Sequence, residues 1–488
     1  MRPTTYLPVL LALLAPSLRL NGTARAEESK ARPNIVFILA DDLGINDLGC
    51  YGRKDHDTPR LDRLARQGLR FTSAYAEPVC SPSRAALLTG KAPARLHLTT
   101  FLPGRPDTPA QKLLHPRIEL QLPLKEKTVA RLLKEAGYTT ACLGKWHLGG
   151  TGFGPDKYGF DVVHAGQANT PPSETEGGKG EYDLTHHALQ FLDSNKGRPF
   201  FLYLAHNNPH IPLGAKLELV KKYRDAFNPT YAAMVNTLDI CVGQVLDKLD
   251  ELRLADRTLL VFASDNGGLH VLESPDSPAT HNTPFRAGKG FLYEGGLRVP
   301  WIVRWPGHVP AGQTSDAPVS MTDWTPTLLD ACGVKPSEKL DGVSLVPLLE
   351  GGKLPTRSLF WHFPHYTNQG GRPAGVVRDS DWKLIEHYED GYIELIHLAR
   401  DVGETRNLAQ AEPKWAAELK ARLRAWRKEV GAQENTPNPQ FDAALHKQLY
   451  EDLDASKLKP AATAAAMRPE LEAWRKAMNA VLPTKRDP

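Results

Sequence analysis

Residues 34 to 40, NIVFILA, are apolar without interruption and rich in β-branched side chains, and the run ends abruptly at Asp41 and Asp42. Continuous hydrophobicity of this kind predicts a central strand of a parallel sheet, buried on both faces. An apolar run closed by polar residues recurs in YTTACLG (138–144), PFFLYLA (199–205) and TLLVFAS (258–264). Between these runs, residues 61–67 (closed by Gly68), TVARLLKEAG (128–137) and the long stretch 231–252 carry apolar positions at helical spacing. Strands alternating with helices predict an α/β fold, a large mostly parallel sheet sandwiched by helices, with ligands bound beyond the carboxyl ends of its strands. Polar groups gather at those ends. Asp41 and Asp42 follow the first strand, Lys145 and His147 the second, His210 the third, and Asp265 and Asn266 the fourth.

The pattern changes near residue 355. From Ser358 to Leu398 short β-like runs alternate with turn residues, which predicts an antiparallel sheet in a smaller C-terminal subdomain. A helix over 413–430 and a charged, Ala-rich helical tail complete the chain, with no internal repeat and no low-complexity linker. At the other end, Arg2, the apolar centre Tyr6–Leu14 and the A-x-A arrangement of Ala24 and Ala26 read as a secretory signal cleaved after Ala26. Pro8, Pro16 and Arg19 leave that run too short to span a bilayer. The expected organisation is a signal peptide at 1–26, an α/β catalytic domain at 27–354 and a C-terminal subdomain at 355–488. The mature protein is expected in the periplasm or secreted, off the membrane.

A formal net charge of +4 over 488 residues, with no basic face, argues against a nucleic-acid partner. The five cysteines are Cys50, Cys80, Cys142, Cys241 and Cys332, an odd number that points to one special thiol and leaves open whether the other four pair. PVCSPSRAALLTG (78–90) puts Cys80 at the start of a helix, with Pro82 in the first turn and Ser81 or Ser83 to cap it. Cys80 is therefore expected at an exposed, electropositive helix end, which suits a nucleophile and an anion. Asp41, Asp42, Asp265 and Asn266 offer four hard oxygen ligands without a soft cluster beside them, a set that suits calcium better than magnesium.

CSPSRAALLTG resembles the signature of the type I sulfatases, arylsulfatase-like members of the alkaline-phosphatase-like superfamily. The resemblance continues in order through ILADDLG (38–44), GKWHLG (144–149), HNNPHIP (206–212), SDNGG (264–268), GKGFLYEGGLRVP (288–300) and DVGETRNLA (401–409). It implies a sulfuric ester hydrolase acting on a sulfated small molecule or glycan. It also implies that a formylglycine-generating enzyme oxidises Cys80 to formylglycine (3-oxoalanine). The hydrated aldehyde would then bind the metal through one oxygen, attack sulfur in line, and release sulfate as its second hydroxyl loses a proton. By the same resemblance the metal ligands are Asp41, Asp42, residue 80, Asp265 and Asn266. Arg84 steadies residue 80, and Lys145 and Lys289 contact the sulfate oxygens. His147 is a base for the elimination, and His210 is the acid at the leaving oxygen. His206, His281, Arg286, His362 and His365 are expected to read the sugar or aryl part, and Asn169 or Thr170 to add a polar contact. Two alternatives stand beside this reading: a phosphonate or phosphate ester hydrolase of the same superfamily, and a non-catalytic binder of sulfated glycans.

Overall fold

The computed structural model describes Met1, residues 32–167, 175 and 178–483. The signal-peptide segment and Asn169 and Thr170 lie outside the described residues. Eight strands form the main sheet: β1 (Asn34–Ala40), β2 (Leu69–Phe71), β3 (Thr139–Gly144), β4 (Val162–Ala165), β5 (Phe200–Ala205), β6 (Thr258–Ser264), β7 (Trp301–Arg304) and β8 (Gln313–Ser315). Their spatial order is β8-β2-β7-β6-β1-β5-β3-β4, and only β7 runs against its neighbours β2 and β6. β1 lies at the centre, parallel to β5 and β6, with Leu39 opposite both Ala205 and Ala263. The four polar-ended strands β1, β3, β5 and β6 therefore point the same way.

Alternate residues of β1 feed two separate cores, because successive side chains leave opposite faces of a strand. Val36 and Ile38 join the core under the helices Glu181–Asn195 and Pro229–Glu251, while Ile35, Phe37 and Leu39 join the one holding Trp301, Trp324 and the helix Cys80–Thr89. Both faces are covered, which is why the run is apolar throughout.

The strands β9 (Ser358–Phe363), β10 (Ala374–Asp379), β11 (Trp382–His387) and β12 (Ile393–His397) form an antiparallel sheet in that order, with the helix Pro413–Glu429 against it. Leu359, Trp361 and Phe363 of β9 share a core with the main sheet and with Leu471, Trp474 and Met478 of the helix Ala464–Ala480. The tail is not wholly helical. Thr436–Pro437 pairs with Leu113–Leu114, because Asn435 and Asn438 spend their side-chain amides on the carbonyls of that earlier segment. None of the five cysteines is paired; Cys50 is half-buried and the other four are buried. Among the described residues no helix is long and apolar enough to cross a membrane.

Candidate active site

β1 ends in a turn with a left-handed residue, a conformation that Gly and short polar side chains adopt with least strain. Asp42 adopts φ +65°, in the left-handed region, where Asp is among the least strained residues. The turn is pinned by Asp41 N–H to Asn208 O (3.1 Å) and Asp42 N–H to Asp265 Oδ1 (3.1 Å), so the ends of β1, β5 and β6 meet at one point. Gly144 ends β3 at φ +104°, and a Cβ there would sit 1.9 Å from Ala205 O; glycine lets β3 close on β5 and deliver Lys145 directly.

The helix Cys80–Thr89 follows the extended Val79, and left-handed Gly90 closes it by donating its N–H to Ala86 O. Two expectations fail here. Neither serine caps the helix: Ser83 Oγ accepts from Glu77 N, outside the helix, and Ser81 Oγ accepts from Leu102 N. Cys80 is the first helical residue but is only 2% exposed, because the Leu102 strip and His147 close over it.

At the point of convergence every named group is within reach of another. Arg84 donates twice to Asp265 Oδ2 (2.7 and 3.1 Å) and once to Lys145 O (2.8 Å). Lys145 Nζ lies 2.6 Å from Asp41 Oδ2, Lys289 Nζ 2.7 Å from Asp42 Oδ2, and Asn266 Nδ2 2.8 Å from Asp42 Oδ1. Asp41 Oδ1 and Asn266 Oδ1 are buried and accept no hydrogen bond, with Arg84 standing off Asp41 Oδ1 at 3.7 Å. Buried oxygens left without a donor are costly. Burial and the neighbouring Asp41 charge push the Asp265 carboxyl up, against Arg84. Asp41 itself is pulled below the usual carboxylate range, because the charges of Lys145, Arg84 and Lys289 outweigh its burial. Crowded carboxylates with spare oxygen lone pairs are the donor set that a hard divalent cation takes.

Around Cys80, burial alone would raise the thiol; the charges of Lys145 and His147, His147's hydrogen bond and Lys289 bring it down to about 6. His147 Nε2 faces Leu102 O (2.9 Å), and a carbonyl only accepts, so Nε2 carries a hydrogen while Nδ1 faces Cys80 Sγ at 3.2 Å. By the same argument His210 Nδ1–H donates to Ile211 O, and its Nε2 lies 3.6 Å from Asp42 Oδ2. Burial, then Lys289, with Lys145 and Lys179 adding, holds His210 well below the ordinary histidine range. Asp42, His147 and Ala287 all have positive φ, so three of the non-glycine left-handed residues border this one site.

Two residues here escaped the sequence reading. Lys179 is 1% exposed and donates to Ile211 O (2.9 Å) beside His210. Glu181, fully buried, accepts from His206 Nδ1 and from the N–H groups of Asn207 and Asn208 (2.9 Å each). A lone Lys and Glu in a Gly-rich turn carry no sequence signal. The five residues expected to read the sugar or aryl part are instead tied to the protein. His206 binds Glu181, His362 binds Tyr388 and Gln433 O, His365 binds Thr99, Arg286 pairs with Glu394, and His281 contacts Arg53. His281 and Arg286 line a separate cavity of about 660 Å³ between residues 270–287 and 403–467.

The chain matches the sulfatase family over residues 33–334 and the N-sulphoglucosamine sulphohydrolase C-terminal family over residues 287–429, which spans the expected domain boundary. It is 37% identical to N-acetylgalactosamine-6-sulfatase of Canis lupus familiaris over 392 residues, 72% of each chain. It is 35% identical to arylsulfatase A of Homo sapiens over 395 residues, 72% of this chain and 74% of that one. The crystal structure of Ps i-CgsB in complex with k-i-k-neocarrahexaose superposes with TM-score 0.71 at 31% identity, covering 81% of this chain and 93% of that one. The chain belongs to the sulfatase family, within the alkaline-phosphatase-like superfamily, and is a sulfuric ester hydrolase.

Proposed function

We propose that the protein removes sulfate from a sulfated carbohydrate, using a formylglycine made from Cys80 by a formylglycine-generating enzyme and a divalent cation, calcium before magnesium. The observation that carries this reading is the convergence of Asp41, Asp42, Asp265 and Asn266 with two orphaned oxygens, directly beside Cys80, Lys145 and Lys289. Those four residues would hold the cation, which when bound supplies charge neutralisation and Lewis-acid polarisation. Formylglycine at position 80 supplies, once hydrated, a nucleophilic oxygen and the second hydroxyl that serine lacks.

The chain's own residues do the rest. Lys145 and Lys289 are free to turn from the aspartates to a sulfate ester once a cation offsets the carboxylate charge, and there they stabilise the transferring group. Arg84, locked on Asp265, keeps the helix Cys80–Thr89 in register with β6. His147 Nδ1 takes the proton from residue 80. His210 Nε2 faces the site, with Nδ1 held by Ile211 O, and as an acid it delivers a proton to the leaving oxygen. The carbohydrate class is supported by the relatives' own names, an N-acetylgalactosamine sulfatase and a carrageenan-oligosaccharide complex. We further propose that the chain is exported, with a catalytic domain at 27–354 and a C-terminal subdomain at 355–488.

The test is sulfate release from a panel of sulfated mono- and oligosaccharides, run beside peptide mass spectrometry of residue 80 and exhaustive chelation. Formylglycine or its hydrate at residue 80, and activity abolished by chelation and restored by calcium, are expected. Full activity with only unmodified cysteine, or indifference to chelation, would overturn the mechanism. Faster turnover of an aryl phosphate than of the matching aryl sulfate would favour the phosphoester alternative.

A further inference from the structure

β4 (Val162–Ala165) closes one edge of the main sheet. It is hydrogen-bonded to β3 alone, it is four residues long, and its Val162 and Val163 are 41% and 43% exposed. A short strand held from one side has little to resist fraying, and folds secure such edges by other means. His164, opposite Leu143 in the β3–β4 register, reaches from this strand to the helix Glu181–Asn195, where its Nε2 lies 3.0 Å from Asp183 Oδ2. His187 stands four residues after Asp183 and so on the same face of that helix, and its Nε2 lies 3.7 Å from the other oxygen, Asp183 Oδ1.

The three groups are placed as ligands are. The rings of His164 and His187 lie with centroids 3.7 Å apart and planes 32° from parallel, so both imidazoles crowd against one carboxylate. Only the His164 contact is a hydrogen bond; at 3.7 Å the His187 nitrogen is aimed at a carboxylate it does not reach. Among the described residues Asp183 pairs with no lysine or arginine, and neither ring has a further hydrogen bond. One nitrogen of each ring and one carboxylate oxygen lie within 4.8 Å of one another. Around a tetrahedral zinc ion with bonds of about 2.0–2.1 Å, neighbouring ligand atoms stand about 3.3 Å apart. The separations of 3.0 and 3.7 Å bracket that value. Side-chain exposures of 32, 43 and 39% for His164, Asp183 and His187 leave the group open to an incoming ion. Two imidazoles and a carboxylate select a borderline transition metal, whereas the all-oxygen set at the catalytic centre suits calcium.

We propose that His164, Asp183 and His187 bind one divalent cation of the zinc class, with the fourth position left to water, and that this ion staples the edge strand β4 to the helix Glu181–Asn195. The site shares no residue with the catalytic centre. Its effect is on the hold of the sheet edge, because a strand tied through a metal to a packed helix frays only when the metal bonds break.

The test titrates zinc chloride into the matured full-length enzyme in excess calcium, which keeps the catalytic oxygens occupied, and measures zinc retained after dialysis together with backbone hydrogen exchange. One zinc per chain and slower exchange across residues 162–165 are expected. His164→Ala and His187→Ala should each weaken zinc binding by more than the roughly 10- to 100-fold that loss of an outer-shell partner costs, and should remove the exchange effect. Both should keep the wild-type kcat on nitrophenyl sulfate. His186→Ala, beside the site but with its Nε2 against the Gln190 amide, should bind zinc as the wild type does. Should an alanine variant fail to fold, His187→Gln, which fills the space without an imidazole nitrogen, should show the same loss. No zinc retained by the wild type, undiminished binding in folded His164→Ala or His187→Ala, or a loss in His186→Ala as large as in His187→Ala, overturns the site. Zinc held by these histidines with unchanged exchange at 162–165 overturns the staple.

Discussion

Cys80 is distinguished from its four fellow cysteines by what surrounds the sulfur. Burial pushes Cys50, Cys142, Cys241 and Cys332 each up to about 12, whereas Lys145 and His147 bring Cys80 down to about 6. In protein produced without the maturation enzyme, Cys80 should be the one thiol alkylated at neutral pH. Its rate should rise as pH increases through about 6, the direction in which thiolate forms. Peptide mapping after iodoacetamide at graded pH reads this, and even labelling of all five would contradict it. His210 and Lys289 divide differently. Lys289→Ala should slow aryl and sugar sulfates alike, because it withdraws a permanent charge from the sulfate oxygens. His210→Ala should slow a sugar sulfate, whose alkoxide leaves poorly, by ~10²- to 10⁴-fold while sparing nitrophenyl sulfate. Equal losses on both substrates would mean that His210 binds rather than donates.

The turn His206–Pro212 after β5 has to place His210 without help from regular secondary structure, and the start of the helix Glu181–Asn195 does that work. Glu181 holds the first three residues of the turn, and Lys179, two residues earlier, holds Ile211 beside His210. Asn208 O in turn accepts the N–H of Asp41, so the helix start, the turn and the β1 end form one hydrogen-bonded chain. Glu181→Ala leaves two buried backbone N–H groups and His206 without acceptors, each costing about 1–3 kcal/mol. A marked fall in Tm and a fall in kcat are expected together, with Glu181→Gln intermediate because its amide oxygen still accepts. Unchanged kcat in a destabilised Glu181→Gln would show that the turn does not depend on this brace.

Across the whole molecule, the interface between the two sheets is built partly from buried polar groups. Lys383 of β11, 1% exposed, bridges Glu294 and Glu404 at 2.9 and 2.8 Å, and within the antiparallel-sheet region His362 of β9 bonds Tyr388 and Gln433. Burial, with Arg427's charge adding, lowers His362 to about 3. A histidine depressed in the folded state contributes stability above its unfolded value of 6.5, and that stability is lost as pH falls towards 3, since only the unfolded chain takes up the proton. The pH dependence of unfolding free energy should therefore be shallower in His362→Gln than in the wild type between pH 6 and 4, by up to ~1.4 kcal/mol per pH unit. Parallel denaturant curves for the two proteins at several pH values would rule the idea out.

Much of this was legible in the chain. NIVFILA and its fellow runs determine a doubly covered parallel sheet, because only a strand buried on both faces is apolar at every position, and their polar ends mark the edge where Asp41, Lys145, His210 and Asp265 gather. The contiguous motifs carried the family. Contacts between segments far apart were not legible. Ser83 looked like a cap but turns to Glu77, and Cys80 looked exposed but lies beneath Leu102 and His147. The histidines and arginine expected to face substrate found partners inside the protein, while Lys179, Glu181 and Arg105 acquired their places from residues that lie 25 to 263 positions away. Local pattern records which face of an element is buried, because that depends on the element's own period. Which polar group meets which across the fold depends on how elements dock, and only the tertiary structure decides that.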